Sequence, residues 1–431
     1  MFAPSSPPPA ADPRSVGGGP TVRGLDLRTR AAVRLGAMAA AFSRAAGRGS
    51  GAIIGGRVTV ALQPDSLHRL ADGRRVVLVT GTNGKTTTTA MLTAALSTAG
   101  DVATNVGGAN MPDGLVAALT RKPTASLAVL EVDELHLPQV MAAVDPSAVV
   151  LLNLTRDQLD RVGEVNHLVS ALRTALASRP QCTVVANADD PMVVATVPES
   201  ARVAWVAGGG SWHQDATVCP RCARVIDRQP DGWSCVCGLA RPTPQWEVDP
   251  GGLRCPTGAL VPLAVQLPGR INLANAAMAV AAADVLGVEP ATAAAATATI
   301  TDVAGRYRTI RLGDRSIRML LAKNPAGASE TLGLLAGSSS ALVLVINGHE
   351  ADGRDLSWLW DVPFEQLRGR VVTASGERAS DLSVRLAYAG VEHRVVHNPR
   401  VALTTAPQQT VDVLANYTAF RDLLRWLPDA P

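Results

Sequence analysis

The chain has 431 residues, 47% of them hydrophobic, and its 40 basic and 37 acidic residues leave a net charge of +3. That length holds two or three domains with their own cores, and basic residues scattered without a dense run predict neither a nucleic-acid footprint nor an acidic membrane surface. Six cysteines are too few for a disulfide framework in so long a chain.

The first residues, "MFAPSSPPPAADPRSVGGGP", are rich in Pro, Gly and Ser. They lack a basic start followed by an apolar core, so residues 1–22 read as a disordered tail, not a signal peptide, and the expected compartment is the cytoplasm. Next comes "VVLVTGTNGKTTTTAML" from Val76, a short apolar strand to Gly81, a glycine loop, and helical apolar spacing at Met91, Leu92, Ala95 and Leu96. In that order Gly81 and Gly84 let backbone N–H groups close around phosphate oxygens at a helix N-terminus. Lys85 supplies a point charge and Thr86 a hydroxyl for Mg²⁺. A plain glycine turn before an ordinary helix is the alternative. The general G-x-x-x-x-G-K-[ST] pattern is met only in its shorter form, T-G-T-N-G-K-T, because Val79 stands where the first glycine would be.

Further strands end on polar groups. "AVLEVDELHLPQV" closes on Glu131, Asp133 and Glu134, where carboxylates at strand C-termini commonly face a nucleotide and its metal. "VVLLNLTRDQLDRVGEV" carries Asn153, Arg156, Asp157 and Asp160, and "VVANADDP" carries Asn187, Asp189 and Asp190. Four cysteines, Cys219, Cys222, Cys235 and Cys237, are spaced C-x2-C, twelve residues, then C-x-C. This predicts a closed structural zinc site in a small insertion at about 212–245, with reduced free thiols as the alternative. The second pair is one residue short of the usual spacing, which Gly238 would relieve. Cys182 and Cys255 read as buried small residues.

"LPGRINLANAAMAVAAA" puts Asn272 and Asn275 on one face of a helix, with helix capping as the alternative role for these side chains. The alanine-rich run Ile271–Ile300 is interrupted by Asp284 and by Glu289-Pro290, so it reads as buried helix and not as a membrane span. From about residue 309, patterns such as "ALVLVING" and "GRVVTASG" predict a smaller Rossmann-like domain, with the active site in the cleft between the two.

From Arg75 to about Arg308 these motifs together resemble the ATP-dependent Mur ligases. The resemblance implies that ATP phosphorylates a substrate carboxylate and that a nitrogen nucleophile then attacks the acyl phosphate. It implies nucleotide contacts at Gly81, Thr82, Asn83, Gly84, Lys85, Thr86, Thr87, Asn275 and Arg306, with Thr86 and Glu131 on Mg²⁺. Two departures stand out. Asp157-Gln158-Leu159-Asp160 lacks the histidine of the family's D-H-L-D segment, and "LLAKNPAG" has Leu320 and Lys323 where peptide-forming members carry aspartate and histidine.

"KNPAGASETL", "VINGHEADGRDLSWLWDVPFE" and the cysteine insertion instead resemble the MurT family, ligase subunits of lipid II isoglutaminyl synthases. This implies a GatD-type glutaminase partner and, as acceptor, the α-carboxylate of D-glutamate in the lipid II stem peptide. No cysteine here sits on a G-x-C-x-G elbow, so the ammonia must come from another chain. In the resembling family an aspartate of the "ADGRDLSWLWD" segment completes the partner's Cys-His pair. Asp355 is the expected one, with Asp352 and Asp361 as fallbacks. Trp358 and Trp360 read equally as interface anchors or as a core pair.

The resulting expectation is an α/β protein. A Mur ligase-like nucleotide-binding domain over 23–308 would carry an inserted four-cysteine zinc ribbon, and a C-terminal Rossmann-like domain would cover 309–431. Lys85, Glu131 and Asp355 would be the catalytic groups. The competing functions are a self-sufficient Mur or folylpolyglutamate-type ligase and a nucleotide-binding scaffold without catalysis.

Overall fold

The computed structural model describes residues 24–46, 51–105, 108–156, 165–209, 214–302, 307–335, 337–353 and 355–427. Arg306 and the segment from Asp157 to Asp160 lie outside the described residues.

The chain opens with a helical hairpin, α1 (Leu27–Ala45) and α2 (Ala52–Leu62), followed by a short α3 (Ser66–Ala71). Asp26 caps α1 by accepting the Thr29 N–H at 2.9 Å. The first α/β domain then alternates β1 (Arg75–Thr80), α4 (Lys85–Ser97), β2 (Val102–Thr104), α5 (Pro112–Arg121), β3 (Leu127–Glu131), α6 (Leu137–Val144), β4 (Ala148–Leu151) and α7 (Val165–Ala177). It continues through β5 (Thr183–Asn187), α8 (Pro191–Thr196) and β6 (Arg202–Ala207). The cysteine insertion carries a small hairpin, β7 (Asp227–Gln229) and β8 (Gly232–Ser234). The chain then rejoins the sheet with β9 (Trp246–Asp249), β10 (Gly252–Arg254) and β11 (Leu260–Val261), before α9 (Arg270–Val285) and α10 (Pro290–Thr297).

The first sheet runs in the order β11-β10-β9-β6-β5-β4-β1-β3-β2. It is parallel except at the β9-β10-β11 edge. Its strands alternate between two apolar layers, so Val76 and Leu78 of β1 face one core while Val77 and Val79 face the other. α5 to α8 and part of the cysteine insertion cover the first face, and α4, α9 and α10 cover the second. The expected alanine-rich helix is two helices, because Gly287 takes φ +85° and Pro290 starts the second. β1 pairs with β3 on one side and β4 on the other, and the chain crosses from one flank to the other there, which opens a crevice at the strands' C-terminal ends.

The second α/β domain contains β12 (Tyr307–Leu312), β13 (Arg315–Leu321), α11 (Pro325–Leu335), β14 (Ala341–Val345), β15 (Val372–Ser375) and α12 (Ala379–Tyr388). It ends with β16 (His393–Val395), α13 (Pro399–Thr404), β17 (Thr410–Ala415) and α14 (Tyr417–Trp426). Its sheet order is β12-β13-β17-β14-β15-β16, parallel except for the β12-β13 hairpin, and it too has a core on each face. The fold is the expected α/β arrangement, with the C-terminal ends of β1 and β4 turned toward the start of α11. No helix among the described residues is long and apolar enough to cross a membrane.

Candidate functional site

The loop after β1 is held in a conformation that needs both of its glycines. Gly81 has φ +135° and Gly84 φ +86°. A Cβ on Gly84 would sit 2.6 Å from Asn275 Oδ1, and one on Gly81 would sit 2.9 Å from Leu152 Cβ. Asn153, just past β4, grips the loop from below. Its Oδ1 accepts the Asn83 N–H at 2.9 Å, its Nδ2 donates to the Asn83 carbonyl at 2.9 Å, and its carbonyl accepts the Thr82 N–H at 3.0 Å. Thr82 Oγ1 in turn accepts the Thr155 N–H at 3.0 Å. The loop therefore has its shape without a ligand, and its N–H groups lead into the first turn of α4.

Lys85 begins α4 and is buried; its ammonium donates to the Gly81 carbonyl at 2.7 Å and to Glu134 Oε2 at 3.1 Å. Glu131 ends β3, also buried. Asn105 clamps its backbone, accepting the Glu131 N–H at 2.8 Å and donating to its carbonyl at 2.8 Å. Glu131 Oε1 meets Asn110 Nδ2 at 3.5 Å, while Oε2 is buried with no hydrogen-bond partner among the described residues. A carboxylate oxygen left in this way, beside a phosphate-type loop, fits a cation. Thr86 is half-buried next to Lys85, and Thr87 is buried.

A cleft of about 210 Å³ extends from the loop between the two domains. Asn83, Gly84 and Thr87 line one end, Asn272 and Asn275 of α9 one wall, and Gly327 and Glu330 of α11 the other. The two asparagines of α9 are neighbours: Asn275 Nδ2 donates to Asn272 Oδ1 at 3.3 Å, and Asn272 Nδ2 to the Pro268 carbonyl at 2.7 Å. The domains touch at the loop itself, where Asn83 and Asn324 form an amide pair with Nδ2–Oδ1 distances of 3.1 and 3.4 Å. Arg156 adds a second tie, bonding Asp215 in the first domain and Asp361 in the second, the latter at 3.1 Å.

Several cleft residues escaped the sequence reading. Asn324 belongs to the family-like segment "KNPAGASETL" but carries no signal of its own there. Arg228, Asp215 and Glu330 carried no motif, and they reach the cleft through an insertion, a loop and a helix distant in sequence. Asp190 caps α8 through the Met192 N–H at 2.8 Å and also accepts the Leu154 N–H at 2.9 Å. Burial pushes its carboxyl up to about 6, against the lowering effect of those donors.

In the cysteine insertion, the four Sγ atoms lie within 4.8 Å of one another, with Cys219–Cys237 at 3.6 Å and Cys222–Cys235 at 3.4 Å. Both halves are tight turns. The Ala223 N–H reaches the Cys219 carbonyl at 2.8 Å, and the Gly238 N–H reaches the Cys235 carbonyl at 2.9 Å. Gly238, at φ +88°, makes the shortened C-x-C turn possible. Four convergent thiols fit a tetrahedral metal of thiolate preference, such as zinc. Trp233 Nε1 ties the insertion to the Ala188 carbonyl at 3.2 Å, and Arg241 Nε to Asp189 Oδ1 at 2.8 Å. Cys182 and Cys255 are buried as expected.

The three candidate aspartates of the second domain differ sharply. Asp352 is buried and accepts both the Thr418 N–H, at 2.8 Å, and the Thr418 hydroxyl, so it fixes the start of α14 to the distant 3₁₀ turn at Glu350–Asp352. Asp361 is engaged by Arg156. Asp355 is exposed, bonded among the described residues only to Ser357, whose N–H at 2.8 Å holds its carboxyl below the usual range. The tryptophans also divide: Trp358 is in the core, while Trp360 is 53% exposed and meets Tyr388 edge to face at 5.3 Å.

The Mur ligase middle-domain model matches residues 79–216, and the MurT ligase C-terminal model matches residues 321–420. Solved structures with the same fold include a pseudomurein peptide ligase type C from Methanothermus fervidus. Its TM-score is 0.65 at 20% identity, with 82% of this chain and 79% of that one covered. MurF from Acinetobacter baumannii gives a TM-score of 0.62 at 20% identity, covering 86% and 80%. Fold and loop thus define a Mur-type ligase. Among curated proteins, the MurT subunit of lipid II isoglutaminyl synthase (glutamine-hydrolyzing) from Streptococcus pneumoniae is 30% identical over 87% of this chain and 93% of its own length. The MurT subunit from Staphylococcus aureus strain COL is 29% identical over 93% and 98%. The chain belongs to the MurT family.

Asp190 generates a prediction about pH. Its folded-state pKa of about 6 lies above the ordinary value of 3.8, so the group costs nothing below about pH 4, where it is protonated folded or unfolded. As pH rises through 6 the folded state must carry a buried charge and loses up to about 3 kcal/mol. Asp190→Asn removes that dependence. Denaturant unfolding of both proteins at pH 4.5 and 7 is expected to give a stability difference, variant minus parent, that is larger at pH 7; an unchanged difference refutes the assignment.

Proposed function

We propose that this chain is the synthetase subunit that amidates the α-carboxylate of D-glutamate in the lipid II stem peptide, giving D-isoglutamine. In this reading residues 23–308 bind the nucleotide, 309–431 form the partner-facing domain, and a GatD-type glutaminase supplies ammonia. The observation that carries it is the buried Lys85–Glu134 pair beside the unpartnered Glu131 oxygen, on a preformed glycine loop, in a member of the MurT family.

The chemistry follows from the weakness of a carboxylate as an electrophile. One carboxylate oxygen attacks the γ-phosphorus of ATP, the bond to the bridging β,γ-oxygen breaks, and ADP leaves. Ammonia then attacks the acyl phosphate carbon, phosphate departs with the electron pair, and one proton is lost. Phosphoryl transfer is mostly positioning and charge neutralisation. Lys85 would hold the β- and γ-phosphates, the N–H groups of 84–86 would surround the phosphate oxygens, Thr82 and Asn83 would shape the loop through their bonds to Asn153, and Asn275 would lie at the adenine or ribose. Arg306 keeps its place in the proposed nucleotide set. Thr86 and Glu131 would hold Mg²⁺, which supplies charge neutralisation of the phosphates when bound.

The four cysteines would hold structural zinc, leaving no open coordination position. Asp355, exposed and ionised, is suited to orient the histidine of a partner's Cys-His pair, and Trp360 with Tyr388 offers an aromatic surface nearby. Asp352 and Asp361 are poorer choices because Thr418 and Arg156 already engage them. The work would be done in the cytoplasm at the inner membrane face, where the acceptor's lipid is anchored. Family membership favours this reading over a self-sufficient folylpolyglutamate-type ligase, and the intact Lys85 and Glu131 favour it over an inactive scaffold.

Mass spectrometry of lipid II incubated with ATP and Mg²⁺ tests the reading. Amidation is expected with ammonium from this chain alone, and with glutamine only when the glutaminase is added; no amidation under either condition refutes it. Lys85→Ala should lower both reactions by about 10²–10³-fold, with a lower melting temperature as well, because Glu134 loses its buried counter-charge. Asp355→Asn should lower the glutamine reaction by up to about 10⁴-fold and spare the ammonium reaction, whereas equal loss in both would remove Asp355 from the glutaminase. Elemental analysis should find one zinc per chain, with Cys219→Ser losing the metal and several degrees of melting temperature; zinc-free protein of unaltered stability would return the cluster to free thiols.

A further inference from the structure

From Leu27 to Pro64 the chain has six arginines and no acidic residue. The small net charge and even scatter of the whole sequence conceal this local excess, which predicted no affinity for an acidic membrane surface. The segment forms the α1–α2 hairpin, and its packing is unusual in what it leaves outside. Small residues make the contacts: a Cβ on Gly36 would lie 2.1 Å from Thr59 Oγ1, and one on Gly55 would lie 2.8 Å from the Gly36 carbonyl oxygen. The large apolar side chains therefore face away. Leu27, Met38 and Phe42 are 79%, 67% and 77% exposed, and Leu35 is exposed between them. At 100° per residue these four lie within about 80° of one another on α1. Ile53 and Ile54 of α2 are exposed as well. Arg28 and Arg34 flank the stripe, both exposed.

An apolar stripe bordered by arginines, with no acid on either helix, has the composition of a helix that lies in the interface of an anionic bilayer. A protein partner reading this face would need an acidic rim around an apolar groove, whereas an anionic bilayer offers both components over any area. The position of the hairpin gives the contact a use. α2 rests on α5 through Gly56, where a Cβ would lie 1.9 Å from the Asp113 carbonyl oxygen, and through Arg57 Nε bonded to Asp113 Oδ2 at 3.0 Å. The segment just before α5 carries Asn110, which reaches Glu131. One helix thus separates the hairpin from the carboxylate end of the site. We propose that the outer face of the α1–α2 hairpin docks on an anionic phospholipid bilayer and holds the ligase cleft beside its lipid-anchored acceptor, an inference that rests on the lipid II reading for its purpose.

Flotation of the full chain with acceptor-free vesicles tests the surface by itself. Binding is expected on phosphatidylcholine vesicles containing 30% phosphatidylglycerol, with little on phosphatidylcholine alone and a marked drop in 0.5 M NaCl. Met38→Ser with Phe42→Ser should lower partitioning at least tenfold, and Arg34→Gln about fivefold. All of these side chains are exposed, and both variants should keep the parent's thermal unfolding and its amidation of a soluble, tail-less acceptor with ammonium. Equal partitioning of parent and variants overturns the proposal, as does light scattering that finds the parent a dimer which the apolar double variant dissolves. Vesicle binding without amidation of the soluble acceptor would keep the surface and discard the lipid II reading; amidation without vesicle binding would do the reverse.

Discussion

The cleft depends on one close approach, the passage of the glycine loop beneath the second turn of α9. With Gly84 at φ +86° and Asn275 Oδ1 only 2.6 Å from where a Cβ would be, neither the loop nor the helix can shift without the other. The alanines of α9 are what allow it. They bury little surface each, but they let the helix axis come down onto the sheet. The same economy recurs at Gly208, where a Cβ would lie 2.3 Å from Ala274 Cβ. Asn272 and Asn275 owe their place in the cleft wall to this approach, and so does the fixed shape of the loop that Asn153 grips from the other side.

The charge arrangement is incomplete in a directed way. Among the described residues, Lys85 is buried against one carboxylate, Glu134, while the neighbouring Glu131 has one oxygen without a donor. A buried carboxylate carries a desolvation penalty that hydrogen bonds or a counter-charge normally offset. Here Asn110 offsets only part of it, through a long 3.5 Å contact. Two acids and one ammonium at the mouth of an N–H-lined loop leave the site suited to a divalent cation together with a polyphosphate, and poorly suited to either alone. That complementarity is the physical content of the proposed Mg²⁺ and ATP assignment.

The part of this architecture legible in the sequence was the part whose determinants are local. The T-G-T-N-G-K-T loop, strand alternation, the cysteine spacing and the Asn272–Asn275 pair each follow from neighbours within one or two helical turns, and the folded elements match them to within a residue or two. Contacts between distant segments were not legible. Nothing near Asn83 signals Asn324, 241 positions away, and nothing near Asp190 signals the burial that raises its carboxyl. Arg228 reaches the cleft only because Trp233 and Arg241 seat the cysteine insertion against the turn that follows β5. Trp358 and Trp360, alike in sequence, separate into core and surface because a 3₁₀ turn at Ser357–Trp360 points successive side chains in different directions. The α1–α2 hairpin was hidden by averaging, since charge and hydropathy over the whole chain erase a local excess.

On the amidation reading, the second domain suits a Mur-type cleft to a small nitrogen nucleophile. A ligase that joins a whole amino acid must bind the incoming ammonium and carboxylate groups, and by the resemblance the peptide-forming members carry an aspartate and a histidine in the strand and turn before α11. Here β13 presents Leu320, buried and lining the cleft, at the aspartate's position. An apolar side chain there offers nothing to a charged amino acid. It does lower the local polarity, which disfavours the protonated, unreactive form of a small amine. Asn324 meanwhile gives its side chain to Asn83, so the same turn closes the domains over the phosphate loop. On the amidation reading, the second domain has exchanged recognition of a nucleophile for exclusion of its charged state. The nucleophile then has to be delivered already neutral, and delivery by an attached glutaminase meets that requirement where uptake of ammonium from bulk water does not.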